Sequence, residues 1–268
     1  NLVRNNQAQG VIIPAEQIKY LDEASDFSQG NGQNVVEIND GNVDIDDEIS
    51  IWNALKGDIP YLAKTDIEIE SELEINAGAR FLFGPDNYML IRTENSSLIV
   101  KGSAENPVLF NALDTDNPWR GIAFVGSDDA RNKIDYAEIS HAGQDLISIA
   151  DFKAGLTVYS FSELAISNTT VKNSVNNGIV IDQTSTLLLF ESNRMEENEG
   201  NPLIIGAVSL GKLDPPSQYG LSNQINEIKI LGDGINLDEV TNWFAIEDGT
   251  PYVVSGDISI SSGVTVSP

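Results

Sequence analysis

Asp66-Ile67-Glu68-Ile69-Glu70-Ser71-Glu72-Leu73-Glu74-Ile75 sets isoleucine and leucine against acidic residues and a serine in alternation. That period of two is the mark of a half-buried β-strand, and it predicts a strand over Asp66–Ile75. Short strands follow at Arg80–Phe83, Tyr88–Arg92, Ser97–Val100, Val108–Phe110 and Gly121–Val125. More are expected at Lys133–Ser140, Leu146–Ala150, Leu156–Tyr159, Gly178–Ile181 and Pro202–Ile205. Turn-prone residues separate them, among them Gly84-Pro85-Asp86-Asn87, Glu94-Asn95-Ser96, Asn106-Pro107 and Asn176-Asn177-Gly178. Helix is expected only over Ala15–Ala24 and Asp238–Phe244.

The deciding stretch also belongs to a repeat. Trp52-Asn53-Ala54-Leu55-Lys56-Gly57-Asp58-Ile59-Pro60-Tyr61 is answered by Trp243-Phe244-Ala245-Ile246-Glu247-Asp248-Gly249-Thr250-Pro251-Tyr252, at an offset of 191 residues with no gap. The match continues through Asp66/Asp257, Ile67/Ile258, Ile69/Ile260 and Ser71/Ser262. A shorter repeat, Ser-Asn-x4-Asn, carries Asn168 and Asn173, then Asn193 and Asn198, at a spacing of 25. Strand-bearing repeats of this length signal a β-solenoid, in which asparagine bonds the free backbone of tight turns and forms ladders between coils. Three units are expected: a linker or cap over 1–50, a solenoid module over 51–242, and the start of a second module over 243–268. The first fifty residues are polar and end in the acidic run Asp44–Glu48; a cap there would cover the open strand edges. A chain that opens at Asn1 without Met or signal peptide, and stops in mid-motif, reads as a processed or trimmed piece of a longer protein.

Several of these runs resemble bacterial surface right-handed β-helix proteins of the pectate-lyase-like superfamily. They are Asp66 to Gly78, Phe81 to Leu90, Leu98 to Phe110, Trp119 to Phe124, Ile134 to Gly143, and Phe190 to Asn201 with Pro202-Leu203. The resemblance covers roughly residues 50 to 268. It implies an all-β, right-handed parallel β-helix with an irregular, partly helical N-terminal cap. It also implies a secreted or outer-membrane lipoprotein setting of the Bacteroidota type, with a lipid-anchored precursor. Enzymes of that superfamily carry clustered Asp ligands beside an Arg or Lys base, or paired Asp residues. No such arrangement falls at corresponding positions here, so no catalytic residue is carried over.

Charge narrows the partners. Fifteen Lys and Arg face 41 Asp and Glu, for a net charge of −26. Such a surface repels phosphate backbones and anionic bilayers, which excludes nucleic acid as a partner. Solubility in a salty or extracellular medium explains the charge; divalent-cation binding is the sharper alternative. No apolar run is long enough to span a bilayer. The lack of cysteine excludes disulfides, thiolate metal sites and Cys nucleophiles.

Individual residues offer little chemistry. Asp114-Thr115-Asp116-Asn117 places the oxygens of Asp114, Asp116 and Asn117 close together, the one candidate calcium site. It lacks the EF-hand spacing and its bidentate Glu, and turns are Asp-rich anyway; Asp46-Asp47-Glu48 and Asp128-Asp129 read as solvated loops. His141 stands alone, and no Gly-x-Ser-x-Gly elbow, P-loop or dinucleotide fingerprint occurs. Trp52, Trp119 and Trp243 could stack on sugars, but Trp52 and Trp243 share a repeat position, which favours a structural role. The expected function is a non-catalytic extracellular or cell-surface module, without cofactor apart from that calcium site, contacting proteins or glycans. An accessory lipoprotein of an outer-membrane complex is a variant of this reading. The alternative is a polysaccharide lyase or glycoside hydrolase, which requires an Arg or Lys (Arg92, Lys101, Arg120 or Lys133) beside clustered Asp.

Overall fold

The computed structural model describes residues 2–22, 24–44, 49–232, 235–237, 241–261 and 263–267. The chain is a right-handed parallel β-helix of about ten turns, and among the described residues it is all-β apart from two short 3-10 helices. Three sheets form its sides. The first runs from Gln9–Ile13 to Gln218–Leu221, the second from Asn42–Val43 to Tyr252–Ser255, and the third from Ser50–Trp52 to Thr186–Glu191. One coil shows the plan: Arg80–Phe83, Tyr88–Ile91 and Ser97–Lys101 lie in the first, second and third sheets. They stack in parallel on Tyr61–Ala63, Ile67–Ile69 and Glu72–Asn76.

The stretch 66–75 is therefore two strands, Ile67–Ile69 and Glu72–Asn76, on different sheets. The corner between them preserves the parity of the pattern. Ile67, Ile69, Leu73 and Ile75 all point inward and are fully buried, which is why the sequence reads as one strand. Likewise, the predicted strand Lys133–Ser140 is broken into Lys133–Asp135 and Ala137–Ser140 by Tyr136, whose φ is +50°.

Stacking puts like residues over like. In the second sheet Ile69, Ile91, Phe124, Val158, Ile181, Ile205 and Ile230 form one inward column. In the first sheet Tyr61, Phe81 and Phe110 stack at centroid spacings of 5.1 and 5.2 Å. Each such side chain contributes roughly 1.5–3 kcal/mol by leaving water. Trp52, from the third sheet, packs against this column: it is fully buried beside Phe81 and donates Nε1–H to Ser50 Oγ at 3.1 Å. Trp119 stacks on Phe83 at 4.0 Å and donates to the Ser140 carbonyl. Trp243 is half-buried against the end of the core.

Buried polar groups line the corners, where backbone turns away from the sheets. Between the second and third sheets, Ser127 donates its Oγ–H to the Ser96 carbonyl, and Ser162 Oγ accepts the Ser127 N–H. Between the third and first, Thr169 N–H donates to Asn193 Oδ1, and Asn193 N–H to Ser217 Oγ. Between the first and second, Ser174 N–H donates to Asn198 Oδ1, and Asn198 N–H to Asn223 Oδ1. Asn168 and Asn173 do not join these ladders. They sit one residue earlier, at φ +50° and +54°, where asparagine tolerates the left-handed turn. The coil spacing at this point is 24 rather than 25, because Thr170 faces Arg194. Asn193 thus stacks on Thr169, and Ser192 occupies the left-handed position of Asn168.

Three further expectations change. The helix expected over Ala15–Ala24 is a 3-10 helix that spans Ala15–Tyr20. Thr241–Phe244 is a strand, not helix; 238–240 lie outside the described residues, as does the acidic run 46–48. Leu146–Ala150 forms turns rather than a strand, for a reason that bears on the surface described next. The polar first fifty residues supply strands to all three sheets, through Gln9–Ile13, Gln33–Ile38, Asn42–Val43 and Ser50–Trp52.

Candidate functional site

The outward column of the second sheet is unusually apolar. Between Glu68 and Lys229 it reads Leu90, Ala123, Thr157, Val180 and Ile204. Water would meet that strip if nothing covered it. The connection 141–153 does so: Ile147 packs on Leu90, Ala123 and Val125, while Phe152 packs on Ala154, Val180, Ile204 and Leu231. The apolar run at 146–150 thus serves the outside of a sheet instead of the inside of a coil.

Where this flap ends, a cavity of about 350 Å3 opens, within the range of small-ligand sites. Asp151 and Phe152 from the end of the connection, residues 159–161 and residues 182–184 from the next two coils, and Leu231 line it. Phe161 is 69% exposed and lies at φ +63°, next to Ser160 at φ +57°. A left-handed conformation costs an L-residue roughly 1–2 kcal/mol, and a bulky exposed side chain there gains little packing in return. Two neighbours enforce it: Ser160 N–H donates to Asp182 Oδ2 at 3.2 Å, and Phe161 N–H to Thr184 Oγ1 at 3.2 Å.

The two carboxylates are engaged. Asp182 Oδ1 accepts the N–H groups of Thr184 and Ser185, and its Oδ2 the Thr184 hydroxyl. Asp151 accepts the Tyr159 hydroxyl, and this bond, with burial, pushes the Tyr159 phenol up to about 12. Tyr159 therefore stays a neutral donor at physiological pH. Lys229 places its ammonium 5.9 Å from the Phe152 ring centre. The groove thus offers one exposed aromatic face, an amide and two carboxylates that accept hydrogen bonds from neighbouring residues.

The residues singled out in the sequence lie elsewhere. Asp114 binds its own loop: Oδ1 accepts Asp116 N–H at 3.1 Å and Oδ2 the Asn117 amide at 2.6 Å. The Asn117 amide, then the Asp116 N–H, hold the Asp114 carboxyl below its usual range. Among the described residues no three acidic or histidine side chains gather as a metal site requires. His141 is a left-handed corner residue whose Nδ1 meets Asn111 Oδ1 at 2.9 Å, an acceptor, so that nitrogen carries the proton. Burial, with Lys172 nearby, lowers its pKa.

The four cations named for catalysis fall in two pairs: Arg92 and Arg120 flank the Tyr88 hydroxyl's bond to Glu68, and Lys101 and Lys133 lie on adjacent strands of the third sheet. Arg92 pairs with Glu68 and Glu70, Lys101 with Glu74, and Lys133 with Asp135. Arg120 lies 5.9 Å from the centre of the Tyr88 ring. Sequence reasoning missed Phe161; the available signal was a phenylalanine within the polar corner Ser160-Phe161-Ser162, where neither neighbour is apolar. Among the described residues no helix is long and apolar enough to cross a membrane. Compared with known protein families, curated proteins and solved structures, the chain matches none of them.

Proposed function

We propose that the chain is a non-catalytic extracellular or cell-surface module that contacts neutral glycans through the groove beside Phe161. The observation that carries this reading is Phe161 itself: a large aromatic ring presented to solvent from a left-handed corner that Asp182 and Thr184 hold in place. Such a ring takes the C–H face of a pyranose, and Gln183, Asp151 and the Tyr159 oxygen take its hydroxyls. The net charge of −26 favours neutral over anionic sugars. A binding rather than a cleaving role is supported by the carboxylates being tied to local donors and by Arg92, Lys101 and Lys133 being held in separate ion pairs. Kinship with pectate-lyase-like surface proteins, with an outer-membrane or secreted location, is part of the same proposal and rests on the sequence resemblance.

An array of neutral and acidic polysaccharides, read for both retention and new reducing or unsaturated ends, tests it. Retention of neutral glycans with no new ends is expected. Release of new ends from any polysaccharide would replace this reading with the enzyme.

A further inference from the structure

The repeat visible in the sequence between Trp52 and Trp243 extends much further in three dimensions. Its upstream half is hidden because the offset changes from 191 to 192. Leu2–Arg4 pairs with Asp26–Gln29 through Leu2↔Asp26 and Arg4↔Gln29, with a bulge between. Arg194–Glu196 pairs with Gln218–Leu221 through Arg194↔Gln218 and Glu196↔Leu221, with the same bulge. The 3-10 helix Ala15–Tyr20 recurs as Ala207–Lys212.

Several side-chain bonds recur. Asn6 N–H donates to Asn31 Oδ1 at 3.1 Å, as Asn198 N–H does to Asn223 Oδ1 at 3.0 Å. Asn31 Nδ2 donates to the Val3 and Phe27 carbonyls, and Asn223 Nδ2 to those of Met195 and Tyr219. Ser25 caps Asp22 as Ser217 caps Asp214. Downstream, Trp52 faces Ile75 and Trp243 faces Val266. The Tyr61 hydroxyl donates to the Asn53 carbonyl at 2.7 Å, and that of Tyr252 to the Phe244 carbonyl at 2.9 Å.

The two copies do not lie on the same sides. Gln9–Ile13, Gln33–Ile38 and Tyr61–Ala63 belong to the first sheet. Their counterparts Leu203–Gly206, Ile228–Leu231 and Tyr252–Ser255 belong to the second. Counting the 3-10 helix as a side, Arg194–Glu196 is the twenty-second side after Leu2–Arg4, which is seven turns of three sides and one side more. Each repeat therefore advances the unit by one side.

The ends show what covers such a unit. Val254, Ile260 and Val266 are exposed, Ile260 at 52% and Val266 at 74%, whereas their counterparts Ala63, Ile69 and Ile75 are fully buried. In the first copy the strands Arg80–Phe83, Tyr88–Ile91 and Ser97–Lys101 do the covering.

We propose that residues 2–76 and 194–267 are two copies of one structural unit related by a screw of one side per repeat, and that the face made by Tyr252–Ser255, Ile258–Ile260 and Val264–Ser267 takes a solenoid coil of the pattern found at 80–101. At about 4.8 Å per coil, successive units stand about 35 Å apart along the axis and a third of a turn around it. Surfaces carried by the unit then face three directions in turn.

The chain through Ser267, with Pro268 replaced by a copy of its own residues 77–193, tests this. The extension is expected to leave the protein monomeric, to raise its strand circular dichroism in proportion to the added residues, and to resist trypsin as well as the parent does. Digestion of the added residues while the parent survives would overturn the proposal. A second extension starting at residue 86 drops one side and is expected to be digested; equal resistance would overturn the one-side advance.

Discussion

Asn198 stands directly over Asn223, its backbone N–H and its side-chain amide both donating to the same Oδ1 at 3.0 and 2.8 Å. Its own Oδ1 takes the Ser174 N–H of the coil before, and its amide also reaches the Val171 carbonyl. One buried side chain thus completes the backbone bonding of a corner across three coils. Asn198→Ala leaves the Ser174 N–H without its acceptor, and a buried orphan of this kind costs about 1–3 kcal/mol. Urea unfolding is expected to show a loss of unfolding free energy of that size, with Asn198→Asp no better because it removes the amide donor.

The aromatic stack predicts a larger effect. Trp119 is fully buried, lies 4.0 Å from the Phe83 ring and donates to the Ser140 carbonyl. Trp119→Ala is expected to cost about 3–5 kcal/mol, with Trp119→Phe keeping most of the packing and losing the one hydrogen bond. Thermal unfolding of the two variants side by side checks the order.

Phe161 predicts the opposite sign. Its ring is mostly in water and its φ is +63°, a conformation that glycine adopts without cost. Phe161→Gly is expected to leave stability unchanged or raise it by up to about 1 kcal/mol, while removing the ring from the groove. A loss of stability comparable to that of a core substitution would show that the ring packs rather than displays itself.

Acid stability has an identifiable contributor. Asp26 is held down to about 2 chiefly by the Ser28 hydroxyl and N–H, with help from Gln29 and Lys56. A carboxyl depressed in the folded state stabilises it above the unfolded value near 4 and loses that effect as pH falls through the folded value. The melting-temperature gap between the parent and Asp26→Asn is therefore expected to be full above pH 5 and to close between pH 4 and 2.

The fold was largely legible because a solenoid repeats its chemistry locally. Ile67, Ile69, Leu73 and Ile75 keep their alternation through a corner, so strand character survives even though two strands read as one. The first fifty residues were harder: their kinship to the end of the chain rests on dispersed polar residues such as Asn6, Asp22, Ser25 and Asn31, and the change of offset by one residue breaks the alignment. The flap at 141–153 was misread because its apolar residues answer an outward column that periodicity assigns to solvent. The groove was not legible, since Asp151, Phe161 and Gln183 are brought together only by stacking and by a left-handed backbone.

The central claim, that the Phe161 groove is a glycan-contact surface, is tested most directly by titration calorimetry. Laminarihexaose, cellohexaose and mannohexaose are titrated into the parent chain and into Phe161→Ala. The account predicts saturable binding of at least one of the three by the parent, weakened about tenfold or more by the substitution, as expected when a central aromatic contact is truncated. Binding of equal strength by both proteins, or by neither, would contradict it.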